Sequence, residues 1–260
     1  MREFLEEAEK HREDGYGRAQ AHAGQQLPRR FYKEAGLRPA PGGGFAVTLD
    51  GRPTKTPGGT AIIVPSERLA RAIAAEWAAQ GELIDPETMP MLRLVNSALE
   101  SGEARAPDFR DEVGKYAGND LLLYRADTPR ELVAEQERVW DAALVRLARH
   151  FGVSFQPTIG IIHQAQPETT IARLAEDLAC EPLLPMAALV SITGITGSGL
   201  LALALRHGLM TADEVWIAAH VDEDYNIRLW GEVAEATERR ARRRREFDAA
   251  VALLEMLPRS

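Results

Sequence analysis

His220, Asp222, Glu223 and Asp224 form the densest group of side chains able to bind a metal or move a proton. On a helix His220 and Asp224 share a face, whereas Asp222 and Glu223 are rotated away from them. No His-Glu-X-X-His pair accompanies the group, and no Cys-His arrangement suits structural zinc. A solvated acidic helix face accounts for it better than a metal site, and an enzyme of unknown type built on His220 is the competing reading.

The other chemistry-bearing residues are weaker still. Gly194-Ile-Thr-Gly197-Ser-Gly199 has a phosphate-loop flavour, but it lacks a Lys and follows an apolar helical run rather than a strand. Small residues that let helices approach closely explain it better. Ser198 fails as a nucleophile-elbow residue, because positions 196 and 200 hold Thr and Leu. His150 and His207 fall near expected helix ends, and His163 stands alone. Glu76 and Asp120 have no second carboxylate at a readable spacing, so capping or buried hydrogen bonding is expected of both. The block Arg239-Arg240-Ala-Arg242-Arg243-Arg244-Arg245 follows Glu232, Glu235 and Glu238, which permits the i→i+4 pairs Glu235–Arg239 and Glu238–Arg242 on a solvent face. Trp230, beside Gly231 in this charged stretch, suits a core anchor and an exposed contact equally. The sequence thus offers no catalytic constellation, metal set or cofactor motif.

Composition narrows the partners. The chain has 260 residues, 45% of them hydrophobic, with a formal charge of −8, so a basic protein surface suits it better than a nucleic acid. Its single cysteine, Cys180, allows no internal disulfide and fits a reducing cytoplasm. The longest apolar stretch, residues 183–205, is interrupted by Pro185, Ser191, Thr193, Gly194, Thr196 and Ser198. It reads as a buried helix or helix pair, not as a membrane-inserting span of about 20 apolar residues. Glu3, Glu6, Glu7 and Glu9 make the first ten residues more acidic than is expected of a secretory or transit signal.

The elements that must position these residues fall into three segments. Residues 1–26 are polar and read as a mobile tail. Residues 27–104 read as a small α+β domain of short strands and an amphipathic helix. The expected strands are residues 30–33, 45–49, 52–56 and 61–64, with Asp50-Gly51 as a tight turn and Pro53 confined to an edge. Leu69, Ile73 and Trp77 then mark one helical face. After a candidate linker at residues 102–107, residues 105–260 read as a larger all-helical domain. Thr211 and Glu214 form a capping box within it, and one long helix runs from Val233 towards the carboxyl end.

A set of short motifs runs through both units: Phe31-Tyr32-Lys33, Leu49-Asp50-Gly51-Arg52, Lys55-Thr56-Pro57, Glu76-Trp77 with Gln80, and Met89-Pro90. It continues with Asp120 before Leu121-Leu122-Leu123-Tyr124-Arg125, Gln136 with Trp140-Asp141, Asp222-Glu223, and Trp230-Gly231-Glu232. In order and spacing the set resembles the mitochondrial and alpha-proteobacterial ATP synthase assembly chaperones, which bind the alpha subunit of the F-type catalytic head. Ala142 stands where that family often has Pro, which would leave its helix unkinked, and Asn226 stands where it often has Gln. The resemblance implies a monomeric, cofactor-free, non-enzymatic chaperone that shields alpha and hands it to beta. It implies a bacterial cytoplasmic or mitochondrial matrix location, and a client-facing surface that includes Trp230, Glu232, Glu235, Asp222 and Glu223.

Overall fold

The computed structural model describes residues 27–257, so the expected mobile tail at residues 1–26 lies outside the described residues. Strands β1 (Ala35–Pro39) and β2 (Phe45–Leu49) pair antiparallel, from Ala35 opposite Leu49 to Pro39 opposite Phe45. Two short strands share the other edge of β2: β3 (Arg52–Pro53) beside its end and β4 (Ile63–Val64) beside its start. Asp50 (φ 47°) and Gly51 (φ 75°) make the two-residue turn, both in the left-handed region that such a hairpin requires. Pro53, which lacks an amide proton, sits on an edge strand as expected.

Two strand expectations are corrected. Residues 30–33 do not join the sheet; they form a strap tied to the turn, where Asp50 Oδ1 accepts from the Lys33 and Glu34 amides at 3.0 and 2.9 Å. The true partner of β2 is β1, whose Gly36 and Pro39 hide it from a reading based on β-branched alternation. The alternation along β2 is also not one-sided, because Ala46, Val47, Thr48 and Leu49 are all buried.

Helix α1 (Glu67–Ala78) starts at Ser66, whose side chain accepts from the Leu69 amide, and packs Leu69, Ala70, Ile73 and Ala74 over the sheet. The next helix, α2 (Pro90–Ser101), begins at Met89-Pro90 with no side-chain cap of its own. Glu76 of α1 supplies one from across the interface, accepting from the Met91 and Leu92 amides at 2.8 and 2.7 Å. Gln80 staples the connection, donating to Thr88 Oγ1 and accepting from the Asp85 amide. The Glu76, Gln80 and Met89-Pro90 motif is therefore one joint between two helices.

Helices α3 (Ala106–Gly118), α4 (Arg130–Gln136), α5 (Ala142–Phe151), α6 (Glu168–Ala179), α7 (Leu183–Thr196), α8 (Gly199–Arg206), α9 (Ala212–Ala219), α10 (Val221–Trp230) and α11 (Ala234–Met256) complete the body. The α+β expectation holds: a small strand region precedes a larger helical one. Residues 183–205 form a helix pair broken at Gly197 (φ 73°), and α7, apolar on nearly every side, is the central helix, touching α2, α3, α8 and α11. Thr211 and Glu214 make the expected capping box. Between α4 and α5 the chain makes one π-helical turn, Glu137–Asp141, so the helix loses regular geometry without a Pro at position 142. The buried apolar cluster is continuous from Tyr32 to Leu257. No described helix is long and apolar enough to cross a membrane.

Candidate protein-docking site

Trp230 ends α10, and Gly231 (φ 83°) turns the chain so that α11 starts after Val233. Between the two helices lies an open cleft of about 760 Å³. Its apolar lining comes from Ile227, Trp230 and Val233; Glu223, Asp224 and Arg240 supply charge. Trp230 is 84% exposed, with Leu229 and Val233 also well exposed on either side. The open question about Trp230 is thereby resolved: it is a surface side chain. The walls are joined by Arg240, which meets Asp224 at 2.5 Å and Glu223 at 3.9 Å.

The residues singled out from sequence do not all meet here. Trp230, Glu232 and Glu223 line the cleft; Glu235 is exposed on the first turn of α11 but does not line it. Asp222 accepts from Gln136 Nε2 at 2.7 Å, while Gln136 Oε1 accepts from the Ala126 amide. It belongs to a buried link between α4 and α10.

His220 is only 3% exposed, its ring lies 4.1 Å from that of Trp216, and its Nδ1 is 2.7 Å from the Trp216 carbonyl. Burial lowers its pKa and favours the neutral ring. Glu223 lies 3.9 Å from His220 and shares Arg240 with Asp224, while Asp222 turns to Gln136, and no three of these side chains gather to hold a metal among the described residues. Nor is the acidic segment a free solvated face, since Asp222 is bound to Gln136 and Asp224 to Arg240.

Other candidates turn out to be supports. Asp120 is fully buried and accepts from Ser198 Oγ, the Leu200 amide and the Leu122 amide at 2.7, 2.9 and 3.1 Å. It caps the single turn at Leu121–Leu123 and α8 together. The N-terminal donors of α8 are thereby engaged, which removes the phosphate-loop reading. His207 closes α8 and contacts Asp177 at 2.9 Å, with His150 packed against it, matching the helix-end role expected of both. His163 Nδ1 lies 3.0 Å from both Tyr124 Oη and Asn119 Oδ1.

Sequence reasoning missed the basic wall of the cleft. The expected pairs Glu235–Arg239 and Glu238–Arg242 are not formed. Instead Arg240 reaches α10, Arg243 donates to the Ile195 carbonyl, and Arg244 bridges Asp213 and Asp248 at 2.7 and 2.8 Å. It also missed Leu229 and Val233. The signal for them was present, as apolar side chains flanking a helix-ending glycine in an otherwise charged segment.

The α+β body, a small strand region followed by a larger helical one, is shared with solved structures. The chain is 33% identical to Atp12 from Paracoccus denitrificans, over 88% of this chain and 97% of that one, with a TM-score of 0.82. It is 39% identical to the Atu1473 protein from Agrobacterium tumefaciens, over 93% and 90% of the two chains, with a TM-score of 0.87. The chain belongs to the ATP12 chaperone family, whose model, described as ATP12 chaperone protein, matches residues 29–148. It is also 23% identical over 222 residues to the mitochondrial protein atp12 of Schizosaccharomyces pombe, covering 81% of this chain and 76% of the relative.

Proposed function

We propose that this protein is an assembly chaperone for F-type ATP synthase, that it binds the unassembled alpha subunit, and that it hands alpha over to beta. The observation that carries the reading is Trp230, 84% exposed at the mouth of the α10–α11 cleft in a chain of the ATP12 chaperone family. A subunit destined for a ring exposes apolar interface while it waits, and such surface aggregates unless covered. An exposed Trp rimmed by charge is well suited to cover it, because aromatic anchors dominate binding energy at protein interfaces. Glu232 at the cleft and Glu235 beside it add negative charge that fits a basic client patch. Asp222 contributes by holding α10 in place through Gln136.

Release needs no metal, cofactor or ATP hydrolysis in this reading. Beta displaces the chaperone when it offers alpha a larger complementary surface, since the partner that binds more favourably shifts the equilibrium. The chaperone acts as a monomer, without catalysis, where alpha is made or imported: the bacterial cytoplasm or the mitochondrial matrix. Co-expression with alpha and, separately, with beta from the same organism tests it. Selective recovery of soluble alpha, lost on adding beta, supports the reading; recovery of neither, with alpha insoluble throughout, overturns it.

A further inference from the structure

Three carboxylates and three arginines line the α10–α11 cleft, and all but one of these side chains have a partner. Arg240 takes Asp224 at 2.5 Å and Glu223 at 3.9 Å, Arg243 donates to the Ile195 carbonyl, and Glu232 accepts from Thr237 Oγ1 at 3.5 Å. The exception is Arg239. It is exposed and has no hydrogen bond or ion pair among the described residues, although Glu235 stands one turn before it on the same helix.

Arg239 has no duty in the fold. Residues 234–242 of α11 include no buried residue, and the helix first enters the core at Phe247. An arginine held by neither packing nor pairing keeps its whole planar fork of donors for a partner. Its place along the wall is set by the helix: from Val233 to Arg239 is a rise of about 9 Å. The order along that wall is therefore negative at Glu232, apolar at Val233 and positive at Arg239, with Trp230 and Ile227 extending the apolar part.

We propose that Arg239 selects and orients the client segment in the cleft. The segment it fits lays apolar side chains over Trp230 and Val233 and carries an Asp or Glu about 9 Å further on, whose carboxylate Arg239 binds through two parallel hydrogen bonds. That spacing is roughly six residues in a helical segment or about three in an extended one. A basic side chain at the other end meets Glu232, so a segment laid in the reverse direction brings like charges together and is rejected. This inference rests on the client reading above and gives the client segment its polarity.

Titration of the full chain against the alpha subunit at two ionic strengths tests the pairing, with Arg239→Glu, Arg239→Lys and a control, Arg242→Glu, at an exposed arginine that does not line the cleft. Arg239→Glu binds roughly tenfold more weakly at low salt with an unchanged Tm, and the deficit shrinks as salt rises. Arg239→Lys loses only about threefold, because a point charge replaces the planar fork, and Arg242→Glu stays within about twofold of the unmodified protein. Binding by Arg239→Glu as tight as that of the unmodified protein, or tighter, overturns the role of Arg239 and leaves the client reading standing. An equal loss in Arg242→Glu overturns it as well, since that is the diffuse attraction of a polyanion to the whole arginine block. Failure of the unmodified protein to bind alpha overturns the client reading and this inference with it.

Discussion

Asp120 and Ser198 are joined by a 2.7 Å hydrogen bond inside the helical body, and the same carboxylate holds the Leu200 and Leu122 amides. Burial pushes the Asp120 carboxyl up to about 7, against the pull of these donors. An unfolded Asp titrates near ~3.9. Between those values the folded chain keeps a proton that the unfolded chain has released, so this group's stabilisation is full below about pH 4 and is lost as pH rises towards 7. The loss is on the order of a few kcal/mol. Asp120→Asn cannot titrate, so the difference in Tm between the unmodified protein and the variant should change across pH 4–7 and level off above it. Thermal melts at several pH values check this; a constant difference would show that Asp120 stays ionised throughout.

Glu76 should matter to stability rather than to client binding. Among the described residues its carboxylate is the only side-chain acceptor at the start of α2, and its removal leaves the Met91 and Leu92 amides without that partner in a half-buried joint. Glu76→Ala is expected to cost about 2–3 kcal/mol, and Glu76→Gln less, because the amide oxygen still accepts one bond. Urea denaturation measures both, and equal costs would argue against the capping role.

Gly199 sits where α8 crosses α3. A Cβ there would lie 2.5 Å from the Val113 carbonyl oxygen and 2.8 Å from the Ala117 nitrogen, contacts that no flexible side chain can relieve. Gly199→Ala should therefore destabilise by about 3 kcal/mol through forced separation of the helices. Gly194→Ala, where nothing lies within 4 Å, should leave Tm nearly unchanged or raise it slightly. The pair of melting curves separates close packing from a general intolerance of change in this glycine-rich stretch.

Features fixed by a few neighbouring residues were legible in the sequence. Asp50-Gly51 and the Thr211–Glu214 box are local, so spacing alone revealed them. The roles of Glu76 and Asp120 were legible in kind, as caps or buried hydrogen-bond acceptors, but not in partner, because the amides that donate to them belong to helices that begin further along the chain. The arginine block was misread for the same reason: i→i+4 partners are visible in a sequence, whereas Asp224 and Asp213 become neighbours of Arg240 and Arg244 only after folding. Strand β1 was missed because its Gly and Pro contradict local β-propensity, which pairing with β2 overrides. Exposure of Trp230 and of Ile161 is a property of what does not pack on them, and local pattern carries no record of that.

Trp230→Ala separates folding from function. A side chain that is 84% exposed has little apolar area to lose, so Tm and the urea midpoint should stay within about 0.5 kcal/mol of the unmodified protein. At an interface the same truncation removes an aromatic anchor, with a cost of about 2 kcal/mol or more, which is roughly thirtyfold in affinity. Val233→Ser should act in the same direction and more weakly, because a smaller apolar side chain is lost. Glu232→Lys tests the charged rim: if the client patch is basic, it weakens capture most at low salt and less as salt rises. Titrating each variant against the alpha subunit at two ionic strengths reads all three effects. Capture that survives Trp230→Ala unchanged, in protein that melts normally, would move the client surface away from the α10–α11 cleft.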